Sequence, residues 1–242
     1  MTHKILVTGA SKGIGLEISK GLSASGFDVF LTSRDERKLK ENAQNIGAKG
    51  FLKCDLSKDE EFFKLGDFVK KEEIDILINN AGLYIYKNIE NVEYSEILNI
   101  FKINSMASIY LTSCVAETMK KNNWGRIINI GSISGVMGEA YASLYSASKA
   151  SLIGFTKATA LELAQYGITV NTINPGWVET ELGMKSIEES DFSLEETLET
   201  IPQRRFVKPE EIEKMVEYLI SDAAKGVTGQ SINICAGLSV GI

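Results

Sequence analysis

Histidine is almost missing from this 242-residue chain, with His3 the single example. A histidine-built metal site and a Ser-His-Asp relay therefore lack their raw material. Cysteine is scarce too. Cys54, Cys114 and Cys235 lie far apart, which excludes a disulfide framework and any CxxC metal knuckle. No apolar run approaches the roughly 18 residues that a helical membrane span needs. Positive charge is not in excess: 26 Lys+Arg against 32 Asp+Glu leave a net charge of −6, which opposes nucleic-acid binding. Only three prolines occur, and no Pro- or Ser-rich linker divides the chain, so one domain over 1–242 is expected. Met1, Thr2 and His3 lead straight into a strand-like run without a signal-peptide h-region, as expected of a cytoplasmic protein. An enzyme made from this sequence has to work without histidine.

What the chain does contain is alternation. Short runs rich in Val, Ile, Leu and Thr at 4–8, 28–32, 50–53, 75–79, 126–131, 169–174 and 231–234 read as strands. Several are continuously apolar, as parallel strands buried on both faces must be. Segments 15–25, 36–46, 59–71, 93–121, 142–166 and 209–221 have helical character between them. The pattern predicts an α/β fold, a doubly wound parallel seven-stranded sheet with helices on both faces. Such folds bind ligands along the crevice at the carboxyl ends of their strands. Residues 179–200 break the alternation and carry eight acidic residues. This stretch reads either as a substrate lid or as a solvated helical pair with an acidic outer face.

The first strand is followed by Thr8-Gly9-Ala10-Ser11-Lys12-Gly13-Ile14-Gly15 and then a helical run. Glycines allow a tight turn and close backbone approach, and a helix N-terminus offers unpaired N–H groups to a pyrophosphate. The spacing is TGxxxGxG rather than GxGxxG, and it resembles the short-chain dehydrogenase/reductase family. Cys54-Asp55-Leu56, Asn79-Asn80-Ala81-Gly82, Asn104, Ser132, the Tyr145-x-x-x-Lys149 pair and Pro175-Gly176 follow in the family's order. Together they cover nearly the whole chain. The resemblance implies a single-domain Rossmann fold that binds a nicotinamide dinucleotide.

In that fold a carboxylate ending strand two accepts a ribose 2′-hydroxyl. Here strand two ends Leu31-Thr32-Ser33-Arg34, and Asp28 lies at its other end. Arg34 suits a 2′-phosphate, Ser33 can donate to it, and Lys12 adds a second cation, so NADP(H) is expected. The resemblance further implies that Asp55 binds the adenine amino group and that Asn80, Ala81 and Gly82 line the adenosine ribose. Val178 backbone and the Thr180 hydroxyl, after Pro175 and Gly176, would hold the nicotinamide carboxamide.

Tyr145 and Lys149, four residues apart on a helix, share one face. A phenol with its ordinary pKa near 10 is a poor base or acid, and a nearby ammonium favours its phenolate. Tyr141 is a rival, but its i+4 neighbour is Tyr145. By resemblance Tyr145 is the proton donor, Lys149 also holds the nicotinamide ribose, and Ser132 polarises the substrate carbonyl, with Ser134 its competitor. Asn104 matches the position that kinks the long helix and anchors a water leading to the lysine.

The C-terminal third, with Ile201-Pro202-Gln203-Arg204-Arg205-Phe206 and Ile234-Cys235-Ala236-Gly237-Leu238, is similar to 3-oxoacyl-thioester and aromatic polyketide ketoreductases. A 3-oxoacyl thioester or polyketide-type β-keto group is the expected substrate. Another cyclic, sugar, steroid-like or alkaloid ketone is the alternative, and a non-catalytic NADP-binding regulator the third. Fatty-acid-type reductases carry arginines where this chain has Asn123 and Tyr166, and its acidity opposes an acidic carrier protein. Lys120, Lys121 and Arg126 are the cations that could compensate. The resemblance implies a homotetramer, with a homodimer as the alternative. The apolar tail Leu238-Ser239-Val240-Gly241-Ile242 suits burial between subunits.

Overall fold

A computed structural model describes residues 2–188 and 193–240. Seven parallel strands form one sheet: β1 (Lys4–Thr8), β2 (Asp28–Ser33), β3 (Gly50–Lys53), β4 (Ile76–Asn79), β5 (Gly125–Ile130), β6 (Ile168–Pro175) and β7 (Ser231–Ile234), in the order β3-β2-β1-β4-β5-β6-β7. The helices are α1 (Gly13–Ala24), α2 (Glu36–Ile46), α3 (Asp59–Lys71), α4 (Tyr94–Phe101), α5 (Ala107–Asn122), α6 (Ser134–Met137), α7 (Ser143–Leu163), α8 (Glu181–Glu188), α9 (Leu194–Thr200) and α10 (Pro209–Ile220). All seven expected strands form.

Period-two geometry splits each strand between two cores. Ile5 and Val7 of β1 join Ile18, Leu22 and Val216 on one face, whereas Leu6 joins Leu65, Leu111 and Val115 on the other. Because both faces are covered, the strands can be apolar throughout. The sheet reverses winding between β1 and β4, so their carboxyl ends diverge and open a crevice.

Residues 93–121 do not form one uniform helix. A π-helical segment, Lys102–Met106, separates α4 from α5 and carries the buried Asn104. One wider turn displaces a residue from the regular ladder, a device common at functional sites.

At the amino end of the strands, away from that crevice, Arg126 of the interior strand β5 is 2% exposed. Its guanidinium donates to the Gly125 and Gly167 carbonyls and lies 4.5 Å from the Trp124 ring, which stacks on His3. Arg126 therefore cannot contribute to a carrier-docking patch, contrary to the sequence expectation. Lys120 is engaged as well, 3.2 Å from Glu162 and over the Tyr166 ring. Asn123 occupies a left-handed backbone position at the end of α5 (φ 49°), a conformation Asn tolerates better than arginine.

The stretch 179–200 contains a helical pair. Leu182, Gly183 and Ser186 of α8 face the crevice, and Glu195, Glu196 and Glu199 of α9 are exposed. The part of the expected lid at 189–192 lies outside the described residues, as do Gly241 and Ile242 of the tail. Leu238 lines the crevice rather than an outer surface, and Val240 is 83% exposed. Among the described residues, no helix is long and apolar enough to cross a membrane.

Candidate active site

The crevice is built from the ends of β1, β4, β5 and β6 and encloses about 400 Å³. One side is the glycine turn. Gly9 has φ +66°, and a Cβ there would stand 2.9 Å from the Ala81 Cα. A Cβ on Gly15 would meet the Gly9 carbonyl oxygen at 2.6 Å, so only glycine lets α1 start this close to β1. No side chain caps α1, whose first turn opens on the crevice with Ser11, Lys12, Gly13 and Ile14 among the lining residues. These are unpaired amides at the positive end of a helix, the arrangement that binds a phosphate.

The Thr8 hydroxyl holds the turn against the end of β4. It accepts from Asn80 N–H at 2.9 Å and Ala81 N–H at 3.0 Å, while Asn80 Nδ2 donates to the Thr8 carbonyl at 2.9 Å. Asn80 thus shapes the turn with its side chain, and Ala81 and Gly82 line the crevice beside it. Thr8 is the threonine that opens the TGxxxGxG pattern, and this hydroxyl bridge is the task it performs there.

At the far end, Arg34 is exposed, lines the crevice and has no described ion-pair partner. Ser33 beside it accepts from Asp35 N–H. The Asp35 carboxylate accepts from Lys38 N–H and caps α2, which commits the nearest acid to a structural task. Lys12 differs from expectation: its ammonium lies 2.7 Å from Glu181 on α8, so it is not a free second cation. Asp55 lines the crevice with Leu56 and accepts from the Ser57 hydroxyl and N–H.

The other end gathers Ser132, Tyr145 and Lys149. Tyr141, by contrast, is 49% exposed and does not line the crevice. Lys149 is buried and donates to the Ile130 carbonyl at 2.8 Å, with its Nζ 5.8 Å from the Tyr145 ring centre. Asn104 donates to the Leu83 carbonyl and the Ser148 hydroxyl, both at 2.9 Å, and accepts from Leu83 N–H at 2.7 Å. Its π-helical turn thereby braces the crevice wall against α7 one residue from Lys149.

The charges at this end are set by burial. Burial pushes the Tyr145 phenol up to about 12, Ser132 lowering it by hydrogen bonding and Glu139 raising it. Burial brings the Lys149 ammonium down to about 8. The expected lowering of Tyr145 by Lys149 is not the dominant influence here, and the phenol is a protonated group at neutral pH.

On the β6 side, Pro175, Gly176 and Val178 line the crevice. The Thr180 hydroxyl accepts from Gly183 N–H at the start of α8, leaving its own proton to donate. Sequence reading missed Tyr84 and Glu139. Tyr84 packs edge-on to Tyr145, with ring centres 5.0 Å apart, and donates to Glu139 Oε1 at 2.7 Å. Neither carries a motif, and Glu139 lies 55 residues from Tyr84.

A doubly wound sheet with an uncapped glycine turn at its switch point, and a Tyr–Lys pair across from it, defines a dinucleotide-dependent oxidoreductase of the Rossmann class. A family model described as enoyl-(acyl carrier protein) reductase matches residues 9–239. The 3-oxoacyl-(acyl-carrier-protein) reductase FabG of Buchnera aphidicola subsp. Schizaphis graminum is 39% identical, the match covering 96% of each chain. The D-beta-hydroxybutyrate dehydrogenase of Cupriavidus necator is 35% identical over 96% of each chain. Among solved structures, a single-substitution variant of the actinorhodin polyketide ketoreductase with NADPH superposes with a TM-score of 0.93 at 35% identity, covering 99% of this chain and 98% of that one. The chain belongs to the short-chain dehydrogenase/reductase family.

Proposed function

We propose that the chain is an NADPH-dependent ketoreductase that reduces a 3-oxoacyl thioester or polyketide-type β-keto group to the hydroxy product. The observation that carries this reading is the convergence of Ser132, Tyr145 and Lys149 at one end of a crevice that has Arg34 at the other. The NADPH in the actinorhodin ketoreductase structure and the 3-oxoacyl substrate named for the Buchnera relative support the same cofactor and substrate class.

The uncapped start of α1 fits a dinucleotide. Gly9, Ser11, Gly13, Ile14 and Gly15 would hold its pyrophosphate. Ser33 and Arg34, with Lys12 once released from Glu181, would meet a 2′-phosphate. Asp55 and Leu56 would hold the adenine, and Asn80, Ala81 and Gly82 the adenosine ribose. Tyr145 and Lys149 would hold the nicotinamide ribose; Pro175, Gly176, Val178 and Thr180 would hold the carboxamide. When bound, the cofactor supplies hydride to the carbonyl carbon. The chain's residues position and polarise. Ser132 donates a hydrogen bond to the carbonyl oxygen as charge develops on it. Tyr145, held protonated by burial, delivers its proton to that oxygen. Lys149 stabilises the phenolate left behind, and Asn104 fixes the wall through which a water returns the proton.

In this reading residues 179–200 are the lid over the substrate, with α8 presenting Leu182 and Ser186 to it. The exposed Tyr94, Leu98, Met106 and Ile109 along α4, the π-helical turn and α5 are suited to an interface between copies, in line with a cytoplasmic homotetramer. The test is NADPH consumption with acetoacetyl-CoA, a decalone and a panel of cyclic ketones. Turnover of the thioester above the others supports the reading, and turnover of none of them alongside tight NADPH binding rejects it.

A further inference from the structure

The crevice holds a carboxylate that the proposed reaction does not use. Glu139 lines its reacting end. Its Oε2 accepts from the Ser134 hydroxyl at 2.6 Å, and its Oε1 accepts from the Tyr84 hydroxyl at 2.7 Å. Ser134 is also the hydroxyl to which Ser132 Oγ donates at 3.2 Å, and Tyr84 packs on the Tyr145 ring. The carboxylate is therefore one side chain removed from each of the two groups that would grip the substrate oxygen. Its backbone is fixed as well, since Glu139 N–H donates to the Ser146 hydroxyl on α7.

Two neutral hydroxyls orient a carboxylate without cancelling its charge. Among the described residues no cation of this crevice pairs with Glu139: Lys149, at the same end, donates to the Ile130 carbonyl, Lys12 pairs with Glu181, and Arg34 lies at the far end. Lys87, whose backbone N–H meets the Tyr141 carbonyl, pairs through its ammonium with Glu96. A carboxylate offers about four acceptor positions, and the hydroxyls fill two. The remaining ones accept a donor and repel an anion.

We infer that Glu139 is a specificity-determining residue that selects β-keto substrates whose carboxyl is masked, as a thioester or ester, and rejects free 3-oxo acids. The inference rests on the ketoreductase reading of the same site. In a 3-oxo acid the carboxylate stands two carbons from the reacting carbonyl, which brings it to the end of the crevice that Glu139 lines. Two like charges held that close in a partly apolar cleft cost about tenfold or more in binding. A thioester presents no such charge beside the ketone.

The test compares methyl acetoacetate with acetoacetate, both with NADPH, in the wild type, Glu139→Gln and the charge-reversed Glu139→Lys. The reading is the ratio of kcat/KM for ester over acid, and its change on substitution removes the intrinsic reactivity of the two compounds. Glu139→Gln should lower the ratio about tenfold through a gain on the acid, and Glu139→Lys should lower it further. A ratio unchanged in both variants overturns the inference while leaving the ketoreductase reading intact. Should the wild type turn over neither compound, the ketoreductase reading fails. The inference is then decided by calorimetric titration of both compounds into the enzyme with NADP+: loss of ester preference in the variants supports it, and no preference in the wild type overturns it.

Discussion

The ammonium of Lys12 and the carboxylate of Glu181 stand 2.7 Å apart and join the glycine turn to α8. Both side chains are mostly exposed, so the pair contributes little to stability. Its consequence is for cofactor binding, because a cation beside the phosphate site is shared with a carboxylate. Glu181→Gln releases Lys12, and NADPH should bind about two- to fivefold more tightly at low salt with NADH little changed. Fluorescence titration with both cofactors checks this; equal shifts for the two would assign the effect to α8 rather than to Lys12.

Arg34 is the unshared cation. Hydrogen bonds to charged groups typically correspond to about 10- to 100-fold in affinity. Arg34→Ala should weaken NADPH binding by about that factor and leave NADH within about twofold. The same titrations decide, and a variant that loses both cofactors equally contradicts a 2′-phosphate site.

Removing the Tyr145 hydroxyl removes the proton donor but not the walls of the crevice. Tyr145→Phe should lose about 100-fold or more in ketone reduction and still bind NADPH. Stopped-flow turnover beside a binding titration tests it, and near-normal turnover would sink the assignment.

The pH dependence follows from the two buried groups. Lys149 is lowered to about 8, so its ammonium is present below that pH and lost above it. Tyr145 is raised to about 12 and keeps its proton across the working range. Reduction should therefore fall as pH rises through about 8, with no second loss from Tyr145 below about pH 11. A kcat/KM profile flat to about pH 9.5 would separate Lys149 from the proton-transfer step.

At the amino end of the strands, Arg126→Ala should destabilise the fold by about 2–4 kcal/mol, since it strands two carbonyls and a stacked indole. Asp222→Asn should change stability by less than about 0.5 kcal/mol, because Asp222 is 90% exposed although it lies 3.6 Å from that guanidinium. Urea unfolding of both variants gives the comparison.

What was legible in the sequence was whatever depends on local pattern. The apolar runs declared the strands because both faces of the sheet are covered, and the glycine turn declared itself by its place between β1 and α1. Tyr145 and Lys149 were readable from helical spacing, and the absence of an acid after β2 from four consecutive residues. The helical pair at 179–200 was readable only as one of two options, since an acidic run is compatible with either. What was not legible depends on tertiary approach. Arg126 reads as a surface cation until Trp124 and the Gly167 carbonyl close around it. Lys12 and Glu181 are 169 residues apart, and Glu139 acquires meaning only when Tyr84 and Ser134 reach it.

Thr8 sets a final constraint. Its hydroxyl accepts from two successive amides at the end of β4, at the point where the sheet's winding divides. The two halves of the sheet are thereby riveted where they would otherwise be freest to splay. The floor of the crevice is a fixed datum, whereas the α8 wall is tied to the glycine turn through the exposed Lys12–Glu181 pair. Of the two ties the exposed ion pair is the weaker, so α8 yields before the riveted floor does.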